Sequence, residues 1–180
     1  SNVHRGLHYL SNLATEKYEA VRGTIARFLN VANEDEIVFT SGTTEGINLV
    51  AYGWAAPRME AGDEIILSVA EHHANIVPWH FLRERQGVKL VWVETDATGD
   101  LDPDAVLAAI TPKTKLIAIT HMSNVLGTVV DVKSVVQGAQ GKGVPVLIDG
   151  SQAAVHMPVD VDAIGADFYA ITGHKLYGPS

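Results

Sequence analysis

Cysteine is missing from this 180-residue sequence. Its absence excludes disulfide cross-links and thiolate-held metal centres among these residues. Basic residues are the next scarcity: 13 Lys and Arg stand against 21 Asp and Glu, a formal net charge of −8 with a pI near 5.4. A protein that neutralises phosphates along a polynucleotide needs a basic face, so nucleic acid is not an expected partner. No apolar run approaches the roughly 20 residues that a membrane helix requires. His4 and Arg5 stand near the N-terminus with no apolar stretch behind them, so no secretory signal is read there. Internal repeats, low-complexity tracts and interdomain linkers are lacking too, and nothing suggests a second complete domain.

What is present suits one domain with a real core, since 47% of the residues are hydrophobic. Short β-branched runs alternate with helical stretches, the pattern of an α/β fold with a mostly parallel sheet. The expected strands are Glu36–Thr40, Glu64–Ser68, Leu90–Glu94, Leu116–Thr120, Val144–Ile148 and Asp167–Ile171. They are near-continuous apolar runs, as expected where helices cover both faces of a sheet. Helices are predicted over Ala14–Asn30, Thr44–Ala55, Ile76–Gln86, Pro103–Ile110 and Val132–Gly141. In the first, Tyr18, Val21, Ile25, Phe28 and Leu29 recur at helical spacing and form one apolar face. Asp102 is the expected N-cap before Pro103, and Gly87 and Gly143 stand where helices should end. Trp54, Trp79 and Trp92 read as core or interface residues.

Ligands of open α/β sheets collect at the carboxyl ends of the strands. The chemically distinctive residues fall there: Thr43 and Thr44 after the first predicted strand, His72 after the second, Asn124 after the fourth, Asp149 after the fifth. Thr172, His174 and Lys175 follow the sixth. Ser41–Gly42–Thr43–Thr44 leads from a strand into a helix, where free N–H groups, the helix dipole and two hydroxyls suit a phosphate. An ordinary N-cap is the plainer alternative for that tetrapeptide. Asp149 ends the run Val146–Leu147–Ile148, and Lys175 lies just past Ala170–Ile171 in a stretch that closes on Gly178–Pro179. A lysine amine that condenses with an aldehyde and a carboxylate that holds a pyridinium nitrogen are the fixed points of pyridoxal phosphate (PLP) chemistry. Lys175 must lose its proton to attack. His72 and His73 look like half a metal site. Adjacent side chains project differently, however, and the acidic residues lack ligand spacing, so no metal is expected and His73 reads as structural.

Six segments carry a family likeness in order along the chain: Asn2–Gly6, Ser41–Asn48, Glu71–Trp79, Ile119–Gly127, Asp149–Gln152 and Gly173–Lys175. Together they resemble the class V aminotransferase group of fold-type I PLP enzymes, and within it the group II (Suf-type) cysteine desulfurases, also described as selenocysteine lyases. The resemblance implies a three-layer α/β/α large domain with a mostly parallel sheet. On this view residues 1–180 are a partial PLP-binding large domain, incomplete at the C-terminus and without the family's small C-terminal domain. Residues 1–30 form its N-terminal segment and helix, and residues 36–180 its sheet and cofactor site.

The resemblance further implies pyridoxal 5′-phosphate as cofactor and Lys175, His72 and Asp149 as catalytic residues. Lys175 holds the cofactor and takes the substrate α-proton, Asp149 faces the pyridine nitrogen, and His72 stacks on the ring and passes protons. Gln152 and Asn124 bond the ring's phenolic oxygen, while Thr43, Thr44, Thr172 and His174 take the phosphate. The implied reaction converts L-cysteine to L-alanine with sulfur transfer, or selenocysteine likewise, in iron–sulfur cluster assembly. A cytoplasmic homodimer, with His4 and Arg5 approaching the partner's site, and a sulfur-acceptor protein complete the expectation. The family takes sulfur on a cysteine, and this sequence has none. Either that cysteine follows the end of the chain, or the protein is a cysteine-free aminotransferase or epimerase. A non-catalytic PLP-binding homologue is a third reading, and these 180 residues alone are expected to be inactive.

Overall fold

The computed structural model describes residues 8–178, so His4, Arg5 and Pro179 lie outside the described residues. Its centre is one sheet of five strands: β1 Glu64–Ser68, β2 Lys89–Val93, β3 Thr114–Thr120, β4 Val146–Asp149 and β5 Phe168–Ala170. The spatial order is β2-β1-β3-β4-β5, and every pairing is parallel. The register sets Thr120 beside Asp149 and Asp149 beside Ala170, so the carboxyl ends of β3, β4 and β5 finish level.

The continuous apolar character of these strands has a direct cause: successive side chains feed opposite cores. Ile66, Ile117, Ile119, Val146 and Ile148 pack on one face with Val106, Val132, Val135 and Val136. Those valines come from helices α4 (Pro103–Ala108) and α5 (Val132–Gln140). Ile65, Leu67, Leu116, Ala118 and Leu147 face the other way, against Ile47, Ala51, Trp79 and Leu82. These belong to α2 (Thr43–Leu49), the π-helical turn Val50–Ala55 that prolongs it, and α3 (Val77–Gln86). The result is the expected α/β/α layering, with all five strands parallel. Asp102 caps α4 by accepting from Asp104 N at 2.9 Å, and Gly87 ends α3 at φ 72°. Gly143 serves the turn after α5 rather than the helix end itself, which is Gln140.

Two expectations fail. Glu36–Thr40 is not a strand: Glu34–Glu36 forms a 3-10 turn, and residues 37–40 run on without a ladder. A strand needs a neighbour, and here local partners take its groups instead. Phe39 packs on Tyr18 with ring centroids 5.1 Å apart, the Arg22 guanidinium sits 4.9 Å over Phe39, and Arg22 also donates to the Ile37 carbonyl. Val38 is left 65% exposed. The apolar face predicted for α1 (Tyr9–Leu29) is also only partly used. Leu29 is buried and Ile25 packs on the core, but Tyr18, Val21 and Phe28 are exposed, because the helix docks through its small residues Gly23 and Ala26. Trp79 is fully buried, Trp54 lies half-buried against Phe168, and Trp92 is exposed on the outermost strand. Among the described residues, no helix is long and apolar enough to cross a membrane.

Candidate active site

The sheet order contains a switch point. From β1 the chain steps outward to β2, then crosses back to place β3 on the other flank of β1. The connections leaving the carboxyl ends of β1 and β3 therefore diverge, which opens a crevice of the kind that holds ligands in such sheets. A cleft of about 260 Å³ lies there. Thr43, Thr44, His72, Asn124, Asp149, Gln152, Thr172, His174 and Lys175 all line it. The sequence scatters these residues over most of the chain, and the parallel sheet gathers them.

At one end of the cleft the chain enters α2 through Gly42 at φ 147°, ψ −179°, a conformation essentially reserved for glycine. The amides of a first helical turn have no intrahelical acceptor, so they remain donors beside the hydroxyls of Thr43 and Thr44. Across from them, Thr172 Oγ1 and His174 Nδ1 pair at 2.8 Å, and the 3-10 turn Gly173–Leu176 carries Lys175. Asp149 closes β4 and is 4% exposed. Its Oδ1 accepts from Ser151 N at 3.0 Å and Ser151 Oγ at 2.6 Å. Both bonds fall on one oxygen, which keeps lone-pair capacity on Oδ2 for a group in the cleft.

His72 opens the 3-10 turn His73–Asn75, and its Nδ1 accepts from Ala74 N at 3.1 Å. A neutral ring bonded in this way carries its proton on Nε2. His73 is exposed beside it, with ring centroids 5.7 Å apart. Among the described residues, no group of three or more His, Asp or Glu side chains could hold a metal ion. Asn124 is exposed in the loop after β3, where Ser123 Oγ accepts from Val125 N and Leu126 N. Gln152 is half-buried at the start of α6 (Ala153–His156).

The structure adds residues that sequence reasoning did not single out. Ser151 joins Asp149 to Thr43, whose Oγ1 lies 2.7 Å from Ser151 Oγ. Glu71 is buried under the cleft and accepts from Ser68 Oγ (2.5 Å), Asn75 Nδ2 (2.8 Å) and Thr120 N (2.9 Å). Desolvation pushes its carboxyl up to about 7 against the pull of those three donors, with the charge of Asp149 adding to the rise. Next to β4, the Tyr169 hydroxyl meets His121 Nδ1 at 2.7 Å. Burial raises the tyrosine, helped by Asp149, and lowers the histidine. A β-carbon on Gly150 would come within 2.1 Å of the Tyr169 ring, so only glycine fits between β4 and that ring. A glycine directly after a strand was the available sign of this contact; Glu71 gave none, since it reads as an ordinary acid before a histidine.

Comparison with known proteins gives a consistent result. The family described as Aminotransferase class-V matches residues 1–180. A probable cysteine desulfurase of Xylella fastidiosa (strain 9a5c) is 52% identical over 180 residues, all of this chain and 43% of that protein. The crystal structure of the cysteine desulfurase CsdA (S-sulfonic acid) from Escherichia coli superposes with a TM-score of 0.90 at 45% identity, covering 100% of this chain and 45% of that one. SspA in complex with cysteine superposes with a TM-score of 0.91 at 33% identity, covering 98% of this chain and 50% of that one. The chain thus spans less than half the length of the curated relative it matches.

Proposed function

The chain belongs to the class-V aminotransferase family, and on that premise we propose that its cleft holds pyridoxal 5′-phosphate in a protein that cleaves the C–S bond of L-cysteine. Selenocysteine, with its C–Se bond, is the companion substrate, and L-alanine is the product. The observation that carries this reading is the donor set of the cleft. Hydroxyls and free amides stand at one end, a buried carboxylate with a spare oxygen lies at the base, and a primary amine is in the wall. That set fits a flat, phosphorylated pyridine aldehyde. The desulfurase names of relatives at 52% and 45% identity support the choice of substrate.

When bound, PLP supplies an electron sink for negative charge developing at the substrate α-carbon. Thr43, Thr44, Thr172 and His174 would take the phosphate, with the first amides of α2. Asp149, oriented by Ser151, would hold a proton on the ring nitrogen. Gln152 and Asn124 would bond the phenolic oxygen. His72 would offer its Nε2 proton to the substrate, and Lys175 would anchor the cofactor and move the α-proton. The thiolate that accepts sulfur must come from outside these residues, since none of them is cysteine. We assign the chain to part of the large domain of such a protein, working as a cytoplasmic homodimer with a sulfur-acceptor protein in iron–sulfur cluster assembly. The same cysteine-free composition favours a second reading, a class V aminotransferase or epimerase.

The complete protein loaded with PLP should absorb in the near-visible region, and borohydride should fix the cofactor to a single peptide containing Lys175. With L-cysteine it should release alanine and sulfane sulfur in equal amounts. Attachment at Lys113, Lys115 or Lys142 would refute the site, and amino-group exchange or racemisation without sulfur release would favour the second reading.

A further inference from the structure

Glu71 is a buried carboxyl that none of the roles above uses. It stands where the divergent connections of the switch point part. Ser68, at the end of β1, donates to its Oε1. The Thr120 backbone N–H, at the end of β3, donates to the same oxygen at 2.9 Å. Asn75 Nδ2 donates to Oε2 at 2.8 Å, and Asn75 closes the 3-10 turn that begins beside His72. Asn75 N in turn bonds the His72 carbonyl at 2.8 Å. The side chain of Glu71 thus spans both strands and the turn.

We propose that Glu71 is a positioning residue: by tying the ends of β1 and β3 to Asn75, it holds the turn in the shape that keeps His72 Nδ1 on Ala74 N–H and directs Nε2 into the cleft. The proposal rests on the reading of His72 as a cofactor-facing group.

The bonding pattern makes the carboxyl hard to replace. Asn75 cannot rotate its amide, because Trp79 Nε1 donates to Asn75 Oδ1 at 3.0 Å and so turns Nδ2 toward Glu71. A carboxylate accepts all three donors. A protonated carboxyl serves as well, since its O–H can turn to Ser68 Oγ while the remaining lone pairs meet Thr120 N–H and Asn75 Nδ2. Both states of Glu71 therefore fit. An amide does not. In Glu71→Gln the new NH₂ group faces either Thr120 N–H or Asn75 NH₂, donor against donor, and no flip relieves it. The match can be restored four positions along the chain. In the double variant Glu71→Gln/Asn75→Asp, the carboxylate introduced at position 75 accepts from Trp79 Nε1 and from the amide NH₂ introduced at position 71. The oxygen of that amide then accepts from Thr120 N–H and Ser68 Oγ.

The test reads the tautomer of His72 by long-range proton–nitrogen correlation on the complete, ¹⁵N-histidine-labelled protein, before and after addition of pyridoxal 5′-phosphate. The His72 signal is assigned by its loss in His72→Gln. The wild type should show one form, with the proton on Nε2. Glu71→Gln should add a second population protonated on Nδ1, and the double variant should return to the single form. A Glu71→Gln protein with an unchanged His72 signal overturns the proposal. So does a double variant that fails to fold, or that folds with His72 still mixed. Because the cofactor-free spectrum decides the role of Glu71, a His72 signal that ignores added PLP would sink the cofactor reading separately.

Discussion

Thr43 Oγ1 and Ser151 Oγ lie 2.7 Å apart although 108 positions separate them in the chain. The contact fastens the start of α2 to the loop behind β4, and Ser151 passes it on to Asp149. Ser151→Ala removes both side-chain bonds and leaves the Thr43 hydroxyl without this partner. The expected cost is roughly 1–3 kcal/mol, the usual range for an unsatisfied buried polar group. Thermal unfolding should show that loss in the cofactor-free protein, and PLP titration should show weaker binding on top of it.

Asp149→Asn should leave the fold intact, since an amide oxygen can still accept from Ser151 N. The variant cannot hold a proton on a ring nitrogen as a carboxylate does. On the proposed function, turnover of the complete protein with L-cysteine should fall by orders of magnitude, each tenfold being about 1.4 kcal/mol of barrier. PLP occupancy, followed by absorbance, separates this loss from failure to bind. Near-normal turnover with full occupancy would remove Asp149 from the role proposed here.

Glu71 makes stability depend on pH with a definite sign. Its folded value, about 7, lies above the ordinary 4.5, so the native state binds the proton more tightly than the unfolded chain does. The stability this confers is complete below pH 4.5 and is lost as pH rises through about 7. The full swing is on the order of 3 kcal/mol. His121, lowered by burial, works the opposite way, stabilising the fold as pH rises toward its ordinary value. The informative quantity is therefore the difference between wild type and Glu71→Gln, in which the His121 contribution cancels. Denaturant unfolding from pH 4 to pH 8 should show that difference shrinking as pH rises. A difference that does not change with pH would contradict the raised value.

Gly150→Ala should be costly for a methyl group. The new β-carbon would meet the Tyr169 ring at 2.1 Å, and the His121 contact to the phenol hinders that ring from moving aside. Overpacking of this kind costs roughly 1–3 kcal/mol. Pairing the change with Tyr169→Leu should recover part of the loss in the same unfolding assay, because the shorter side chain vacates the ring position.

Much of this was legible in advance. Glu64–Ser68 is a strand at the predicted bounds, because a short apolar run between turn residues leaves few other options. The cleft could be anticipated from one rule, that parallel strands deliver their carboxyl ends to the same side. Asp149, His72 and Lys175 needed only to follow strands to meet. Glu36–Thr40 failed because local composition does not say whether a neighbouring strand exists. The outer face of α1 failed for a related reason: periodicity shows which side of a helix is apolar, not whether anything covers it. Glu71 and Ser151 were hidden because the partners that tie them to other parts of the fold, Thr120 and Thr43, are distant in sequence and become neighbours only through the strand order.

The indole of Trp79 also constrains how this sequence can drift. By fixing which way the Asn75 amide faces, it decides which residues position 71 tolerates. Two carboxyls can share a proton, but nothing bridges two amide N–H groups. Asn75→Asp followed by Glu71→Gln is therefore a passable route, whereas the reverse order crosses a mismatched intermediate. Positions 71, 75 and 79 are coupled through these two hydrogen bonds, and a library randomised at all three should return matched combinations rather than independent ones.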